Sequence, residues 1–375
     1  MEVGYTDEKQ VQIVIALLKQ HGIRRVVASP GSASMTLVLS LQHDSYFEMY
    51  SSVDERSAAY MACGLAEECG EPVVICCTGA TASRNYLPGL TEAYYRKLPV
   101  LAVTATKTLA HVGHHIAQVI DRSVMPVDTV VHSVTVPVVK DAEDFWDCEI
   151  KVNRAILELT RRGGGPVHIN LPTGYSKNYE VRMLPDVRVI KRFCVGDQLP
   201  PLAAGKIGVF IGAHLVMSTE ETAAIDAFCA AHNAAVFCDH TSGYKGKYRV
   251  QHAIAGCQRL LDHATYRPDL LIHIGEVTGD YYGPSGKQVW RVSADGELRD
   301  TFGKLQCVFE MPERLFFKQY SKNGTDADDS YLMQCKARVQ AVRKELPELP
   351  FSNIWIASMM ASRVPEGAAV HFGIL

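Results

Sequence analysis

The chain has 375 residues, 47% of them hydrophobic, which is enough for roughly two to three domains with buried cores. Its 38 lysines and arginines stand against 41 aspartates and glutamates, and no basic stripe runs along it, which argues against a nucleic-acid partner. No apolar run reaches the roughly 20 residues of a membrane helix, no signal peptide opens the chain, and its 11 cysteines form no CxxC pairs, so we expect a cytoplasmic protein with reduced thiols and no membrane partner.

The first 180 residues alternate between helical and strand-like segments. Thr6 is predicted to cap a helix that ends at Gly22, and "RRVVASPGS" then gives a buried strand and a turn. Further helices are predicted over 34–42, 54–69, 84–95 and 143–162, and further strands at 46–51, "PVVICCT", "LPVLAVTAT" and "VHINLP". Short apolar strands between helices indicate a parallel sheet covered on both faces, which we assign to a first domain over 1–180.

A Pro-containing segment, 181–204, is predicted to be a surface linker. The strands "IGVFIGA", "AVFCD", "LLIHIGE" and "VWRVS" and the helix "TEETAAIDAFCAAHN" then predict a central Rossmann-like α/β domain over 205–320. Residues 321–375 give a helix with spaced lysines and arginines, followed by the helix and strand of "SNIWIASMMASRVPEGAAVHFGIL". A parallel strand without neighbours would leave an exposed edge, so we expect this part to open a third domain that is missing or supplied by another chain.

The predicted fold class is therefore α/β, with two doubly wound parallel-sheet domains in tandem plus the start of a third. Three polar turns follow strands of the first domain: "SPGSAS", "DER" and "CTGATASRNYLPGLTEA". Because turns after the carboxyl ends of parallel strands gather at one edge, we expect them to form a ligand-binding crevice. Glu55 in the second turn is then either a first-turn carboxylate that stabilises its helix by about 0.3–1 kcal/mol or a reactive group in the crevice.

Residues 1–175 resemble the pyrimidine-binding domain of thiamine diphosphate enzymes, most closely the carboligases of the menaquinone pathway. The resemblance rests on "SPGSAS", "DERSAAYMACGLA", "CTGATASRNYLPGLTEA", "LPVLAVTA" and "GPVHINLP", in that family's order and spacing. The segments "IGVFIGA", "DHTSGYKG" and "PDLLIHIGE" resemble the central domain of the same enzymes. The implied activity is decarboxylation of a 2-oxo acid, followed by protonation or by carboligation to an acceptor.

In that family a glutamate hydrogen-bonds the aminopyrimidine ring of the cofactor, and Glu55 occupies its position. A carboxyl group shielded by apolar neighbours has a raised proton affinity and can exchange a proton with the ring near neutral pH. The cofactor itself supplies the carbanion chemistry. The resemblance implies contacts to thiamine diphosphate from Pro30, Gly31, Glu55, Thr78, Thr81 and Asn85.

The chain departs from the menaquinone-pathway pattern at several positions. Ala33 stands where those carboligases have an arginine, whose guanidinium would hold a substrate carboxylate. Residues 78–81 read Thr-Gly-Ala-Thr instead of Thr-Ser-Gly-Thr, Ala117 replaces an asparagine, and "TKT" replaces Asp-Arg-Pro. These departures argue against the substrate pair of the menaquinone pathway.

Substrate contacts are predicted, more weakly, from six residues: Ser32, Arg84, Lys107, His114, His115 and Gln118. Arg84 and Lys107 either receive an anionic substrate group or are solvated surface charges. The histidines of "HVGHH" suggest a metal site, but no carboxylate or cysteine follows at ligand spacing. Paired histidines at a similar point handle substrate protons in some thiamine-dependent decarboxylases, which leaves that role open for His114 and His115.

The family's magnesium motif, Gly-Asp-Gly followed by Asn, does not occur: neither "TGDYYG" at 278–283 nor "ADG" at 294–296 fits it. We therefore expect no metal ligand in this chain, and expect Mg²⁺ and the diphosphate to be held by the third domain. The resemblance implies a homodimer or tetramer, or a separate diphosphate-binding chain, with Glu55 serving a partner's cofactor. One alternative is a non-catalytic subunit that dimerises, and another is an unrelated nucleotide-binding protein, which the lack of a GxGxxG or Walker loop disfavours.

Overall fold

The structure is a computed structural model that describes residues 4–203, 205–251, 267–279, 286–322, 328–345, 347–365 and 367–370. These residues form two all-parallel sheets in tandem with flanking helices, so the predicted α/β class is confirmed. The strand predicted near the end of the chain falls largely on 371–375, outside the described residues. Among the helices that the structure describes, none is long and apolar enough to cross a lipid bilayer.

The first sheet has six strands in the order β2-β1-β3-β4-β6-β5. Its strands are β1 (Arg25–Ala28), β2 (Glu48–Ser51), β3 (Val73–Cys77), β4 (Val100–Thr106), β5 (His132–Thr135) and β6 (Val167–Pro172). Its helices are α1 (Lys9–Gln20), α2 (Met35–Gln42), α3 (Glu55–Cys69), α4 (Thr81–Asn85), α5 (Leu87–Arg96) and α6 (Ala142–Glu158).

Two apolar layers hold the helices against this sheet. The layer on one face joins α1, α2 and α6 to the strands, and the other joins α3 and α5 to them. Strands β3 and β4 are buried along their whole length because both faces are covered. Since β1 pairs in parallel with both β2 and β3, the turns that follow these three strands lie side by side.

Some predicted boundaries in this unit are wrong. Thr6 does not cap α1; the helix begins at Lys9 with Glu8 as its N-cap. The single helix predicted over 84–95 is broken into α4 and α5 at Tyr86. Pro88 explains the break, because its ring would clash with the carbonyl four residues earlier in a continuous helix. Strand β5 escaped prediction because it is half-buried along its length and has no apolar run.

The second sheet has seven strands in the order β10-β9-β8-β11-β12-β13-β7. Its strands are β7 (Lys191–Cys194), β8 (Ile207–Ile211), β9 (Ala234–Cys238), β10 (Arg249–Val250), β11 (Leu270–Ile274), β12 (Gln288–Ser293) and β13 (Leu305–Glu310). Its helices are α7 (Thr219–Ala231) and α8 (Glu313–Ser321), and α9 (Ser330–Glu345) and α10 (Asn353–Ala361) follow them.

The segment predicted as a linker, 181–204, is partly a strand. Strand β7 pairs in parallel with β13, from Lys191 beside Cys307 to Cys194 beside Glu310. The sequence did not indicate it because an edge strand with exposed ends lacks the continuous apolar run of the central strands. This part of the predicted linker therefore belongs to the second sheet.

Buried ion pairs join the two units. The Arg188 guanidinium donates to Glu149 of α6 at 2.7 Å and to Asp300, between β12 and β13, at 2.8 Å. Asp300 also accepts a hydrogen bond from the Trp146 indole at 2.8 Å. The Arg161 guanidinium is only 6% exposed and lies within 3.0 Å of Glu158, 2.8 Å of Glu297 and 2.9 Å of Glu310. Removing one partner of a buried pair typically costs about 3–5 kcal/mol. Glu297 is 42% exposed and contributes less, so the contacts of Glu149, Asp300 and Glu310 are the ones that fix the units against each other.

We expect the free energy of unfolding to fall as the pH is lowered from about 6.5 to about 3, in part because of His168. Its ring is 1% exposed on β6 and is hydrogen-bonded at 2.7 Å to Thr104 Oγ1 and at 2.9 Å to Ser133 Oγ. Burial lowers its pKa to about 3. In this pH window the unfolded chain therefore binds a proton that the folded chain does not, with a slope of at most about 1.4 kcal/mol per pH unit.

Urea unfolding at several pH values between 7.5 and 4 measures this slope for the wild type and for His168→Gln. The variant should show a smaller slope, whereas His114→Gln, which changes an exposed ring, should match the wild type. An equal slope for the wild type and His168→Gln would contradict the assignment.

Candidate functional site

Asp54 and Glu55 have separate roles at the start of α3. Asp54 is the N-cap, and its Oδ2 accepts hydrogen bonds from the Ser57 backbone N–H at 2.8 Å and from the Ser57 hydroxyl at 2.7 Å. These bonds lower the pKa of Asp54. Because Asp54 satisfies the helix terminus, the Glu55 side chain is left for another function.

The Glu55 carboxylate meets the side chain of Asn85, at the end of α4. Asn85 Nδ2 donates to Glu55 Oε2 at 3.3 Å. The fold thus brings together two predicted cofactor residues from the turns after β2 and β3, 30 positions apart in the chain. The apolar shielding expected around Glu55 is not supplied by the described residues, because Glu55 is half-buried and the neighbouring Val53 is 83% exposed.

The turns after β1 and β3 are in contact at Gly31 and Thr78. A Cβ on Gly31 would lie 2.8 Å from Thr78 Cβ, so the close approach requires glycine. Thr78 Oγ1 is buried and has no hydrogen-bond partner among the described residues. Pro30 and Ser32 are exposed on the same turn. The turns after β1 and β3 therefore lie against each other, with an unpartnered hydroxyl at their contact.

Ala33, where the resemblance would place an arginine, is a packing position. The residue is 4% exposed, and its carbonyl accepts a hydrogen bond from Thr173 Oγ1 at 2.9 Å. A guanidinium at this position would have to displace its buried surroundings.

The turn after β3 is tight and strained. A Cβ on Gly79 would lie 2.7 Å from the Ala105 carbonyl oxygen. Ala80 follows with φ 58° and ψ −133°, a conformation that glycine adopts freely and alanine rarely does. Its carbonyl accepts a hydrogen bond from the Ser83 hydroxyl at 2.7 Å, and the exposed Thr81 begins α4. Strain of this kind clusters at ligand-binding and catalytic sites.

The predicted substrate residues are less closely gathered. Arg84 is half-buried, and its Nη2 donates to the Asp121 carbonyl at 3.0 Å. Lys107 is half-buried after β4. Three predicted residues of the following loop are exposed: His114, His115 and Gln118. The last two have φ values of 55° and 62°. The structure records no contact between these loop side chains and Glu55, and within the described ranges no three His, Cys, Asp or Glu side chains group as a metal site.

Sequence reasoning missed Arg122, which lies at this edge in the loop between β4 and β5. Its side chain is 3% exposed, and its Nη2 donates to the Ala105 carbonyl at 3.0 Å and to Asn170 Oδ1 at 2.7 Å. Burial lowers its pKa to about 10. An arginine in a polar loop is usually a solvated surface charge. The sequence signal that could have indicated the burial of Arg122 is Gly79, where the missing side chain leaves room for the guanidinium.

Residues 9–125 match the family described as thiamine pyrophosphate enzyme, N-terminal TPP binding domain. The 2-succinyl-5-enolpyruvyl-6-hydroxy-3-cyclohexene-1-carboxylate synthase of Bacteroides thetaiotaomicron is 29% identical over 386 residues, covering 98% of this chain and 69% of that protein. The synthase of the same name from Porphyromonas gingivalis is 34% identical over 172 residues, which cover 46% of this chain and 30% of that protein.

Solved structures of thiamine diphosphate-dependent enzymes are also similar. A benzoylformate decarboxylase from Polynucleobacter necessarius aligns with a TM-score of 0.40 and 18% identity, over 86% of this chain and 62% of that one. A 4-hydroxybenzoylformate decarboxylase from Rhodococcus jostii aligns with a TM-score of 0.39 and 16% identity, over 85% and 63%. The chain thus spans less than two thirds of the length of these structures.

Replacing Ala80 by glycine should raise the free energy of unfolding by about 1 kcal/mol, because relief of the backbone strain outweighs the greater freedom of glycine in the unfolded chain. Denaturant unfolding measures the change. The matched control is Ala82→Gly, two residues on inside α4, which should lower the stability by about 1 kcal/mol. Equal losses in both variants would show that Ala80 is not strained.

Proposed function

We propose that this chain, whose residues 9–125 match the N-terminal domain of thiamine diphosphate-dependent enzymes, forms the pyrimidine-binding and central portion of a 2-oxo acid decarboxylase or carboligase. The hydrogen bond from Asn85 to Glu55 carries the proposal, because it joins two residues of the family's cofactor motifs at the expected edge of the sheet.

The residues at this edge fit the aminopyrimidine half of the cofactor. The ring presents nitrogen acceptors and an amino donor, and this edge offers a carboxyl group at Glu55 and a buried hydroxyl at Thr78 without a partner among the described residues. Gly31 lets the backbone of the first turn approach closely. When bound, thiamine diphosphate would supply the carbanion chemistry of the reaction.

The protein's part is then to orient one carboxyl group and to move one proton. Asn85 holds Glu55 Oε2, and Oε1 would be available to the pyrimidine ring. Asp54 keeps the start of α3 capped, so that the position of Glu55 is fixed by the helix. Glu55 would hold a proton on Oε1 and exchange it with the ring nitrogen.

A partner subunit would complete the enclosure of Glu55. Three apolar side chains on or beside the start of α3 are exposed: Val53 at 83%, Tyr60 at 48% and Met61 at 42%. Covering them would remove apolar area from water and exclude water from the carboxyl group. This supports a homodimer or tetramer, or a separate diphosphate-binding chain, with Mg²⁺ and the diphosphate held by that other domain.

We propose only the class of the substrate, a 2-oxo acid, and assign no acceptor. Ala33 is buried where the menaquinone-pathway pattern has an arginine, which distinguishes this site from that of the synthases it resembles. Contacts from Ser32, Lys107, His114, His115 and Gln118 stay predictions, since these side chains lie on exposed or half-buried turns.

Glu55→Gln should lower turnover by about 10²–10⁴-fold, because glutamine matches the shape of glutamate but cannot exchange the proton. The assay combines the chain with its diphosphate-binding partner, either its C-terminal continuation or a neighbouring gene product, and adds thiamine diphosphate and Mg²⁺. The control is Asp54→Asn, which removes the adjacent charge, keeps a good N-cap and should leave turnover unchanged. Unaltered turnover in Glu55→Gln would reject the role of Glu55.

The second candidate is a non-catalytic subunit that binds a diphosphate-domain chain without using the cofactor. The altered turn at Gly79 and Ala80 and the loss of an arginine at Ala33 favour it. Calorimetry on the same assembly separates the two: magnesium-dependent binding of thiamine diphosphate refutes the non-catalytic subunit, and a folded assembly that binds none refutes the enzyme.

A further inference from the structure

Arg122 is a buried cation whose charge is not balanced by the part of the chain that the structure describes. Its side chain is 3% exposed, and Nη2 uses both of its hydrogens, on the Ala105 carbonyl and on Asn170 Oδ1. Nε and Nη1 have no hydrogen-bond partner among the described residues. A buried charge with unmade hydrogen bonds is strongly destabilising, so the arrangement calls for a counter-ion.

Other buried arginines of this protein have carboxylates beside them. Arg161, whose side chain is 6% exposed, contacts Glu310 at 2.9 Å. Arg291 is the closest match to Arg122: it is 1% exposed, and its Nε and Nη1 also lack hydrogen-bond partners among the described residues. Arg291 nevertheless has Glu276 at 3.9 Å, whereas no described carboxylate forms an ion pair with Arg122.

The surroundings of Arg122 suit an anion. Arg122 lines a small cavity together with Arg84, Ser83, Thr104 and His168, and no carboxylate is among the lining residues. The remaining lining residues are Tyr86, Leu90, Ala102 and Met125. The hydroxyls of Ser83 and Thr104 are already hydrogen-bonded, to the Ala80 carbonyl and to His168, so the two guanidinium groups are what suits an anion here. The space between these side chains is too narrow to hold a water molecule in this structure. An anion would enter only when the adjoining loop or α4 shifts outward.

The cavity adjoins the candidate site. A Cβ on Gly79 would lie 3.3 Å from Nη2 and 3.4 Å from Nη1 of Arg122, so the guanidinium lies directly against the strained turn after β3. The same turn leads into α4, which carries Arg84 and ends at Asn85, the partner of Glu55. An anion held here is thus one short helix away from the proposed reactive carboxyl group.

We propose that Arg122 and Arg84 form a receptor for the carboxylate of a small organic acid. A carboxylate is flat, carries one charge and accepts hydrogen bonds from guanidinium groups, which matches the narrow space and the unpartnered Nε and Nη1 of Arg122. That the acid is the substrate of the enzyme rests on the proposed function; that the cavity binds a carboxylate does not.

The test follows the unfolding temperature of the 375-residue chain in increasing sodium pyruvate or sodium acetate, against sodium chloride at equal ionic strength and without cofactor. We expect a saturable rise of about 2–4 °C with both carboxylates. Arg122→Gln should abolish the rise and Arg84→Gln should weaken it. The matched control Arg291→Gln should keep it.

A second readout separates a ligand site from a structural arginine. In chloride alone, Arg122→Gln should be at least as stable as the wild type, because it removes an unbalanced buried charge. If that variant does not fold, Arg122→Lys keeps the charge without the planar fork and should weaken carboxylate binding about tenfold.

Three outcomes would overturn the proposal: no carboxylate-dependent rise in the wild type, an unchanged rise in Arg122→Gln, or a rise with sodium phosphate and none with carboxylates. Since no step of this test uses thiamine diphosphate, its failure leaves the Glu55 assay unaffected. Conversely, full turnover in Glu55→Gln together with carboxylate binding at Arg122 would reject the proposed function and keep the receptor.

Discussion

Parallel pairing of β1 with both β2 and β3 is the constraint on which the candidate site depends. It places the ends of three strands side by side, and each is followed at once by a short turn. The hydrogen bond between Glu55 and Asn85 then follows from the order of the strands. The geometry of this edge is set by hydrogen bonds of the sheet interior, and its side chains are not fixed by that pairing.

Much of this arrangement could be predicted from sequence, because strands buried in a parallel sheet have uninterrupted apolar runs. The runs "VVICC" and "VLAVTAT" coincide with β3 and β4, and the acidic pair before the Ala-rich segment marks the start of α3. Where the sheet has an exposed edge the signal fades: β5 and β7 are half-buried, so neither carries an apolar run, and both escaped prediction.

Side-chain environment was harder to predict than backbone. Thr6 has the residue type of a helix cap, yet Glu8 takes that position, since capping depends on where the chain turns into the helix. Arg122 looked like any loop arginine, and its burial depends on a glycine 43 positions earlier, a pairing that exists only once β3 and β4 are adjacent. Local composition carries no information about such tertiary pairings.

Arg188 connects the two α/β units of this protein through ion pairs. It belongs to the segment between the sheets, yet it neutralises Glu149 on one side, whose carboxylate is 7% exposed, and Asp300 on the other, which is fully buried. Composition alone suggests a boundary at residue 180. A chain cut there would leave Glu149 without Arg188, the cation that neutralises it. The first sheet is therefore not separable at residue 180, and transferring it to another protein would require the connecting segment as well.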